Sequence, residues 1–326
     1  MADARSLKTV YGPVPSRRLG RSLGVSPVPH KVCTYSCVYC QLGRTRRRTT
    51  RRRSFFPKED ILAEIATALA SSDADYVTFA GDGEPTLCTD LGWLVHRCKV
   101  ELKTPVAVIT NGSLLDRPDV RADLLEADVV MPSLDAGSAA VFKRINRPHR
   151  DLSFDSIVDG LVTFREEYRG LMRIEVMLVS GLNDSVGALN DLRRVLDRVG
   201  ADQVDVTVPI RPPAEAWVKV PSPSSIQRAR DILGRGRAIT GSEVGEFGVA
   251  KTTDPERAIM DICLRHPLRE EQAKQIERSM ATPGTVASLV ARGDVTRVTY
   301  RGVAYLVPSR RHADVPGRSE KEKPRG

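Results

Sequence analysis

The sequence predicts an α/β protein in which parallel strands are covered by helices, followed by a small C-terminal α+β module. Short apolar runs alternate with helical patterns six times between residues 21 and 209. The apolar runs are nearly continuous, which is typical of parallel strands that are buried on both faces. The length of 326 residues is enough for one large α/β domain and a small appendage.

The predicted elements follow one another at regular spacing. A first strand at residues 21–26 leads into a cysteine-containing loop. The helices that follow are predicted at residues 57–72, 89–101, 117–126, 153–168 and 186–198. They alternate with strands predicted at residues 75–81, 105–112, 127–135, 172–181 and 202–209. Six such units are too few for a complete eight-fold barrel, so an open partial barrel or a doubly wound sheet remains.

The C-terminal part has a different pattern. Residues 209–225 hold five prolines and predict a long ordered loop or a cap over the sheet's end. Three helical patterns follow from about residue 253, and a hairpin is predicted to turn at Arg301-Gly302. This order resembles a winged helix, a module that often binds nucleic acid and in other proteins only packs against a partner. We therefore predict a core domain at 1–250, a winged-helix-like domain at 251–308 and a disordered tail at 309–326.

The net charge of +9 is concentrated in two segments. Residues 44–53 hold seven arginines and no acidic residue, and the tail holds six basic and three acidic residues. The arginine run is either a solvated loop or a contact for nucleic acid phosphates. No apolar run is long enough to cross a bilayer and the N-terminus lacks a secretory signal pattern, so we expect a cytoplasmic protein with no membrane partner.

Cysteine usage points to a metal or catalytic site. Six cysteines are too sparse for a disulfide framework, yet Cys33, Cys37 and Cys40 lie within eight residues. We expect the other three to be packed thiols: Cys88, Cys98 and Cys263. Structural zinc needs four ligands, and His30 is a candidate for a fourth. Three thiolates also suit a [4Fe–4S] cluster in which one iron keeps a vacant position.

The trio, with Tyr39 before its third cysteine, resembles the signature of radical S-adenosylmethionine (SAM) enzymes. The resemblance implies that Cys33, Cys37 and Cys40 hold a [4Fe–4S] cluster whose open iron binds SAM. It further implies an external one-electron donor of the flavodoxin or ferredoxin type. The electron cleaves SAM to a 5′-deoxyadenosyl radical, which abstracts hydrogen from a substrate. Tyr39 would pack against the adenine of SAM, or act only as a packing residue.

Three further segments are similar to motifs of this superfamily, and each comes at the end of a predicted strand. They are "GDGEPT" at residues 81–86, "ITNGS" at 109–113 and "PSLDAG" at 132–137. Ligands in parallel sheets bind at the carboxyl ends of the strands, as these positions require. The resemblance implies a partial (β/α)6 barrel and the following SAM-side residues: Gly81, Gly83, Glu84, Asn111, Ser133 and Asp135.

Longer segments are similar to one group within the superfamily. Residues 10–25, 37–45, 134–148 and 211–222 resemble the Fe–S oxidoreductase group related to the tRNA wybutosine-synthesis radical SAM enzyme. That relative uses a second cluster held by N-terminal cysteines, and no cysteine precedes Cys33 here. The resemblance therefore implies the radical chemistry for this sequence, but not the wybutosine product. Six residues of these segments are candidates for the substrate side or for structural contacts: Arg17, Arg18, Asn146, Arg147, Arg211 and Trp217.

Three functions compete. The first is a radical SAM enzyme that acts on an RNA base, with RNA bound by residues 44–53 and the C-terminal module. The second is the same chemistry on a peptide, a protein or a small molecule. The third is a non-catalytic Fe–S sensor that binds nucleic acid. The sensor has no use for the strand-end motifs, so we expect an enzyme whose substrate the sequence leaves open.

Overall fold

The computed structural model describes residues 9–234, 236–239, 241 and 254–309. The chain divides into two compact units, Met1–Thr253 and Asp254–Gly326. Apart from Ser309, the predicted disordered tail lies outside the described residues.

The described part of the first unit contains ten strands and seven helices, numbered in chain order. The strands are β1 (Val10–Ser16), β2 (Gly20–Val25), β3 (Val32–Cys33), β4 (Arg47–Arg48), β5 (Tyr76–Phe79), β6 (Val106–Thr110), β7 (Val129–Pro132), β8 (Leu171–Met177), β9 (Gln203–Thr207) and β10 (Gly236–Ile239). The helices are α1 (Lys58–Ser71), α2 (Leu91–Val100), α3 (Pro118–Leu124), α4 (Ala139–Ile145), α5 (Phe154–Glu167), α6 (Val186–Val199) and α7 (Pro223–Leu233).

Eight of these strands form one sheet in the order β1-β2-β5-β6-β7-β8-β9-β10. Only β1 runs antiparallel to its neighbour, and every other pair is parallel. The predicted α/β fold with a mostly parallel sheet is therefore confirmed. In the described part of the chain β1 and β10 lie at the two ends of the sheet, so it is open there, as a partial barrel requires. The short strands β3 and β4 pair separately, next to the cysteine loop.

Helix α6 illustrates how the sequence sets these elements. The side chain of Ser185 caps its first turn by accepting a hydrogen bond from the backbone N–H of Ala188 (3.2 Å). Gly200 ends it with the left-handed φ of 67° that glycine adopts at low cost. Its apolar stripe is buried against the sheet and consists of Leu189, Leu192, Leu196 and Val199.

The sheet is buried on both faces. One face and the helices form the main core cluster, which includes Val108, Val130, Ile174 and Val206. The other face carries a second, smaller cluster of Leu19, Ala107, Val129 and Met131. Two neighbouring strands also bury a charged pair on one face, in which Arg173 donates to Asp205 (2.7 Å).

The second unit is a small α+β module. It contains α8 (Pro255–Arg265), β11 (Leu268–Arg269), α9 (Glu270–Ser279), α10 (Thr285–Ala291), β12 (Val295–Tyr300) and β13 (Val303–Pro308). The sheet order is β11-β13-β12. Strands β12 and β13 form the predicted hairpin, and Arg301 and Gly302 both have the positive φ (53° and 76°) of a two-residue turn. The winged-helix assignment stays a prediction.

None of the helices within the described ranges is both long and apolar enough to cross a membrane.

Candidate active site

The three clustered cysteines lie at the end of β3 and in the loop that follows it, before β4. Cys33 ends β3, and the backbone N–H of Cys40 donates to the carbonyl of Cys37 (3.2 Å), which closes a tight turn. All three thiols are free and half-buried, and Cys33 and Cys37 pack against the main core cluster. Cys88, Cys98 and Cys263 are also free but fully buried, which confirms that they are packed thiols.

Each sulfur of the trio accepts a hydrogen bond from a different polar side chain. Lys31 Nζ donates to Cys40 Sγ at 3.2 Å. Asn111 Nδ2 donates to Cys33 Sγ and Asn146 Nδ2 donates to Cys37 Sγ, both at 3.5 Å. The donors come from three separate parts of the chain: the segment before β3, the end of β6 and the C-terminal end of α4. Donors of this kind stabilise negative charge on sulfur.

Burial opposes the ionisation of these thiols. It raises the pKa of Cys33 to about 12, and the nearby carboxylate of Glu84 adds to this effect while the charge of Lys31 opposes it. Burial also raises the pKa of Cys37 well above its usual range, with a further contribution from Asp135. A thiol in such a position becomes a thiolate when a metal compensates its charge.

The glycine-rich turn "GDGEP" follows β5 directly. Gly81 has a φ of 109°, a conformation that favours glycine. At Gly83 the backbone passes so close to the cysteine loop that a Cβ atom would lie 1.8 Å from the carbonyl oxygen of Val32. Both predicted glycines are therefore required by the backbone path, and the turn is held directly against β3.

The carboxylate of Glu84 ties this turn to the end of β6. Oε1 accepts hydrogen bonds from Thr110 Oγ1 (2.6 Å) and from the backbone N–H and hydroxyl of Thr86 (3.1 and 2.7 Å). Oε2 accepts one from the backbone N–H of Asn111 (2.7 Å). Burial raises the pKa of this carboxyl, while the donated hydrogen bonds lower it.

Asn111 connects β6 to the cysteine loop. Besides its contact with Cys33, its Nδ2 donates to Thr34 Oγ1 (2.7 Å), and its Oδ1 accepts from the backbone N–H of Ser113 (3.0 Å). Ser133 follows the next strand, and its backbone N–H donates to the carbonyl of Thr110 (3.0 Å). The strand-end motifs are thus in adjacent positions along one edge of the sheet.

Asp135 connects β7 and β8 to the cysteine loop. Its Oδ2 accepts from the Tyr39 hydroxyl (2.5 Å) and from Asn146 Nδ2 (2.6 Å), and its Oδ1 accepts from the backbone N–H of Met177 (2.8 Å). Burial raises the pKa of both Asp135 and Tyr39. The hydroxyl of Tyr39 is therefore fixed.

Hydrogen bonds thus join seven of the candidate residues in two groups. One runs from Cys33 through Asn111 to Glu84, and the other from Cys37 through Asn146 to Asp135 and Tyr39. Gly81, Gly83 and Ser133 contribute their backbone positions beside these groups. The ligand roles assigned to all these residues stay predictions.

Two of the candidate substrate-side arginines bind parts of the first unit distant in sequence. Arg17 donates to the carbonyls of Ile239 and Gly241 (2.7 and 3.0 Å). Arg18 forms an ion pair with Glu175 on β8.

The proline-rich loop after β9 is fastened to the cysteine loop. Arg211 donates to Gln41 (2.9 Å), and the buried Glu215 accepts two hydrogen bonds from Arg44 (both 2.9 Å) and one from Arg147 (2.5 Å). Both arginines lower the pKa of Glu215. The predicted loop therefore covers the region next to the cysteines. Trp217, on the same loop, is half-exposed.

The arginine run of residues 44–53 is divided between structural and exposed roles. The side chain of Arg52 is only 6% exposed and contacts Asp119, Asp123 and two backbone carbonyls. Arg48 donates to the carbonyl of Arg147 (3.0 Å). Arg47, Arg51 and Arg53 are exposed, and within the described part of the chain the first two have no partner for their guanidinium groups.

Sequence reasoning missed Lys31 and Glu215. Lys31 stands two residues before Cys33 without any motif of its own, and Glu215 follows a run of prolines. Only the folded loops bring the first against Cys40 and the second against Arg44 and Arg147. A single lysine or glutamate beside a motif forms no periodic pattern, so the sequence alone does not indicate that it is buried.

The donor set fits an iron–sulfur cluster. In the ranges that the structure describes, no group of three or more His, Cys, Asp and Glu side chains is arranged to hold a single metal ion. The thiolates of a cubane bind different irons, so its ligands need not converge on one point. His30, the candidate fourth zinc ligand, instead contacts Asp82 (Nδ1 to Oδ1, 3.2 Å). Three free thiols whose sulfurs accept hydrogen bonds from nearby N–H donors suit such a cluster.

Comparison with known proteins agrees with this chemistry. The family model described as "Radical SAM superfamily" matches residues 28–192, a range that contains the cysteine trio and all the strand-end motifs. The UPF0026 protein MJ1312 of Methanocaldococcus jannaschii is 33% identical over 314 residues, which cover 93% of this chain and 97% of that protein.

A second relative is matched over only part of its length. GTPase Obg of Brachyspira hyodysenteriae is 40% identical over 224 residues, which cover 68% of this chain but only 33% of that protein. This chain therefore spans about a third of that relative, and the GTPase activity in the relative's name is not transferred to this chain.

A radical SAM methyltransferase from Sphaerobacter thermophilus has a similar solved structure. The TM-score is 0.53 at 19% sequence identity, and the match covers 67% of this chain and 66% of that one. At this identity the similarity shows a shared fold.

Proposed function

Since the chain belongs to the radical SAM superfamily and to the UPF0026 family, we propose that it holds a [4Fe–4S] cluster on Cys33, Cys37 and Cys40 and cleaves SAM reductively. Membership of the superfamily indicates that the protein is an enzyme of radical SAM type. The observation that supports the assignment of the cluster is the trio itself, in which each free thiol accepts one hydrogen bond from a different side chain.

When bound, the cluster and SAM supply one-electron cleavage of the sulfonium and a 5′-deoxyadenosyl radical that abstracts hydrogen from the substrate. The protein's own contribution is position and exclusion of side reactions. Glu84 fixes the glycine-rich turn against the end of β6 by accepting hydrogen bonds from Thr110 and Asn111, and it accepts two more from Thr86 within the turn. Its contact with the ammonium of SAM is the prediction from the superfamily. Asp135 fixes Tyr39, the proposed neighbour of the adenine.

Production of 5′-deoxyadenosine tests this chemistry. We expect anaerobically reconstituted protein, given SAM and dithionite, to release 5′-deoxyadenosine, and reduced flavodoxin or ferredoxin to replace dithionite. Cys37→Ala should lose both the cluster's visible absorbance and the product. Cys98→Ala, which removes a buried thiol outside the trio, should keep both. A fully loaded cluster that never cleaves SAM would instead identify an Fe–S sensor.

For the substrate we propose an RNA base. The supporting observations are the exposed guanidinium groups of Arg47, Arg51 and Arg53, which suit phosphates, and the half-exposed ring of Trp217, which suits base stacking. We assign the RNA contact to residues 44–53 first. The described second unit has eight basic and seven acidic residues, and several of them pair with one another, including Arg292 with Glu256.

Transfer of deuterium from the substrate tests the RNA part separately. We expect deuterium-labelled RNA to pass its label into 5′-deoxyadenosine. The salt dependence of RNA binding gives a second measurement. If the three exposed arginines each contact one phosphate of a single strand, the logarithm of the affinity falls against the logarithm of the salt concentration with a slope of about −2. Label that arrives only from a peptide or a small molecule would replace RNA as the substrate and leave the SAM chemistry in place.

A further inference from the structure

Lys31 is a buried lysine whose side chain points to the proposed cluster site. The residue is only 4% exposed and adopts a left-handed backbone conformation with a φ of 62°. Its N–H donates to the carbonyl of Asp82 (2.6 Å), and its carbonyl accepts from the amides of Arg46 and Arg47 (3.1 and 3.2 Å). The backbone of Lys31 is therefore fixed between the glycine-rich turn and the arginine run, and its side chain starts from a rigid point.

Among the described residues, the ammonium group of Lys31 has no carboxylate partner. It donates to the carbonyl of Gly43 (2.5 Å) and to Cys40 Sγ (3.2 Å), and none of the ion pairs in the described ranges includes it. A buried charge is costly unless an opposite charge compensates it. The contacts of this ammonium are the carbonyl of Gly43 and the Cys40 sulfur, so a negatively charged cluster bound to that sulfur would compensate its charge.

Lys31 differs in charge from the other two donors to the trio. Asn111 and Asn146 are neutral amides, and both contact their sulfurs at 3.5 Å. Lys31 brings a full positive charge to 3.2 Å from Cys40 Sγ. In a buried site a charge at this distance acts with little screening. One-electron reduction makes a cluster more negative by one charge, and a fixed positive charge favours that state.

We propose that Lys31 is a positioning residue whose buried ammonium group, next to Cys40 Sγ, raises the reduction potential of the cluster. The proposal rests on the proposed function, because it requires a cluster on the trio. The redox step is the uptake of one electron from an external one-electron donor by the oxidised cluster, without a proton. Lys31 takes no part in the bond cleavage of SAM.

The test is an EPR-monitored redox titration of the reconstituted protein without SAM. Lys31→Met keeps the length of the side chain and removes its charge. We expect the equilibrium constant for reduction to fall at least tenfold, which for one electron is about 59 mV toward negative potential. Lys31→Arg keeps a charge and should lie between Lys31→Met and the wild type.

Lys103→Met is the matched control. Lys103 also has a left-handed φ (50°), but it is exposed and precedes β6 at the opposite edge of the sheet from the cysteine loop. We expect the cluster of Lys103→Met to have the same reduction potential as that of the wild type. A wild-type potential in Lys31→Met, or an equal shift in Lys103→Met, would overturn the proposal.

Two further outcomes are decisive. If Lys31→Met assembles no cluster, the titration is carried out on Lys31→Gln, which keeps a hydrogen-bond donor for the sulfur without a charge. A shift of its reduction potential toward negative values supports the proposal, and a wild-type potential refutes it. Failure of the proposed function is seen separately in the wild type. A wild type that holds the cluster without cleaving SAM leaves the Lys31 comparison valid, whereas a wild type that assembles no cluster refutes both.

Discussion

Replacement of Arg52 by methionine should destabilise the fold, although this residue lies in the most basic segment of the chain. Its guanidinium donates to the carbonyl of Thr86 (2.8 Å), to Asp119 Oδ2 (2.6 Å), to the carbonyl of Cys88 (3.0 Å) and to Asp123. These contacts join the arginine run to the turn after β5 and to helix α3. Methionine retains most of the apolar stem and none of the donors.

The magnitude follows from the groups that would lose their partner. Removal of one member of a buried ion pair typically costs about 3–5 kcal/mol. Asp119 is 51% exposed and is stabilised by water after the change, so the lower end, about 3 kcal/mol, applies. For a domain of this size 1 kcal/mol lowers Tm by about 2–4 °C. We therefore expect Tm to fall by about 6–12 °C.

The neighbouring Arg51 provides the control. Its side chain is exposed, so Arg51→Met should change the free energy of unfolding by no more than about 0.5 kcal/mol. Thermal unfolding followed by circular dichroism compares the two variants, and RNA binding is measured below both transitions. We expect Arg51→Met to weaken RNA binding and Arg52→Met to retain it. A wild-type Tm for Arg52→Met, or equal destabilisation by Arg51→Met, would refute the reasoning.

Three other changes test the site itself. Glu84→Gln places an amide donor against a backbone N–H, at a cost of about 1–3 kcal/mol. It should lower the yield of 5′-deoxyadenosine without changing the iron content of the protein. A parallel loss of iron would contradict this prediction. Gly83→Ala forces the backbone away from the carbonyl of Val32 and should reduce iron and sulfide incorporation, whereas Gly187→Ala, whose Cβ meets open space, should not. The pKa of Glu215 is lowered from 4.5 by two arginines, so its stabilisation is present above that value and lost as pH falls through the lower folded pKa. Glu215→Gln should therefore lower the urea midpoint at pH 7 and match the wild type in acid, and equal midpoints at pH 7 would show that this contact adds no stability.

The periodic elements of the fold were predictable from the sequence. Helices α1, α2, α5 and α6 begin and end within two residues of their predicted limits, because each has ten or more residues with apolar side chains at helical spacing. Helix α7 was not predicted, although Ser222 and Pro223 provide its N-cap and first residue. The prolines before it favoured an extended loop. The seven-residue helix α4 was not predicted either, and strand β1 pairs antiparallel through a connection that the alternation of strands and helices does not predict.

The strand-end motifs were predictable for a different reason. Alternation of strands and helices puts the residues after each parallel strand at one edge of the sheet, which is where Glu84, Asn111 and Asp135 lie. It does not determine which of these side chains contact each other. Two hydrogen bonds depend on strand register and on the path of the cysteine loop: the one that the backbone N–H of Asn111 donates to Glu84, and the one that the Tyr39 hydroxyl donates to Asp135. Polar residues expected to face a cofactor therefore also hold the site together, so their substitution changes both binding and structure.

Composition alone treats the seven arginines of residues 44–53 as one basic surface, and the fold separates them by where carboxylates lie. Asp119 and Asp123 come from helix α3 and Glu215 comes from the proline-rich loop, all more than 60 residues away in sequence. These acids bind Arg52 and Arg44 through charge-assisted hydrogen bonds. The arginines that no acid reaches remain available to phosphates. The positive charge available to the proposed RNA substrate is therefore set by long-range contacts, and a count of basic residues overestimates it.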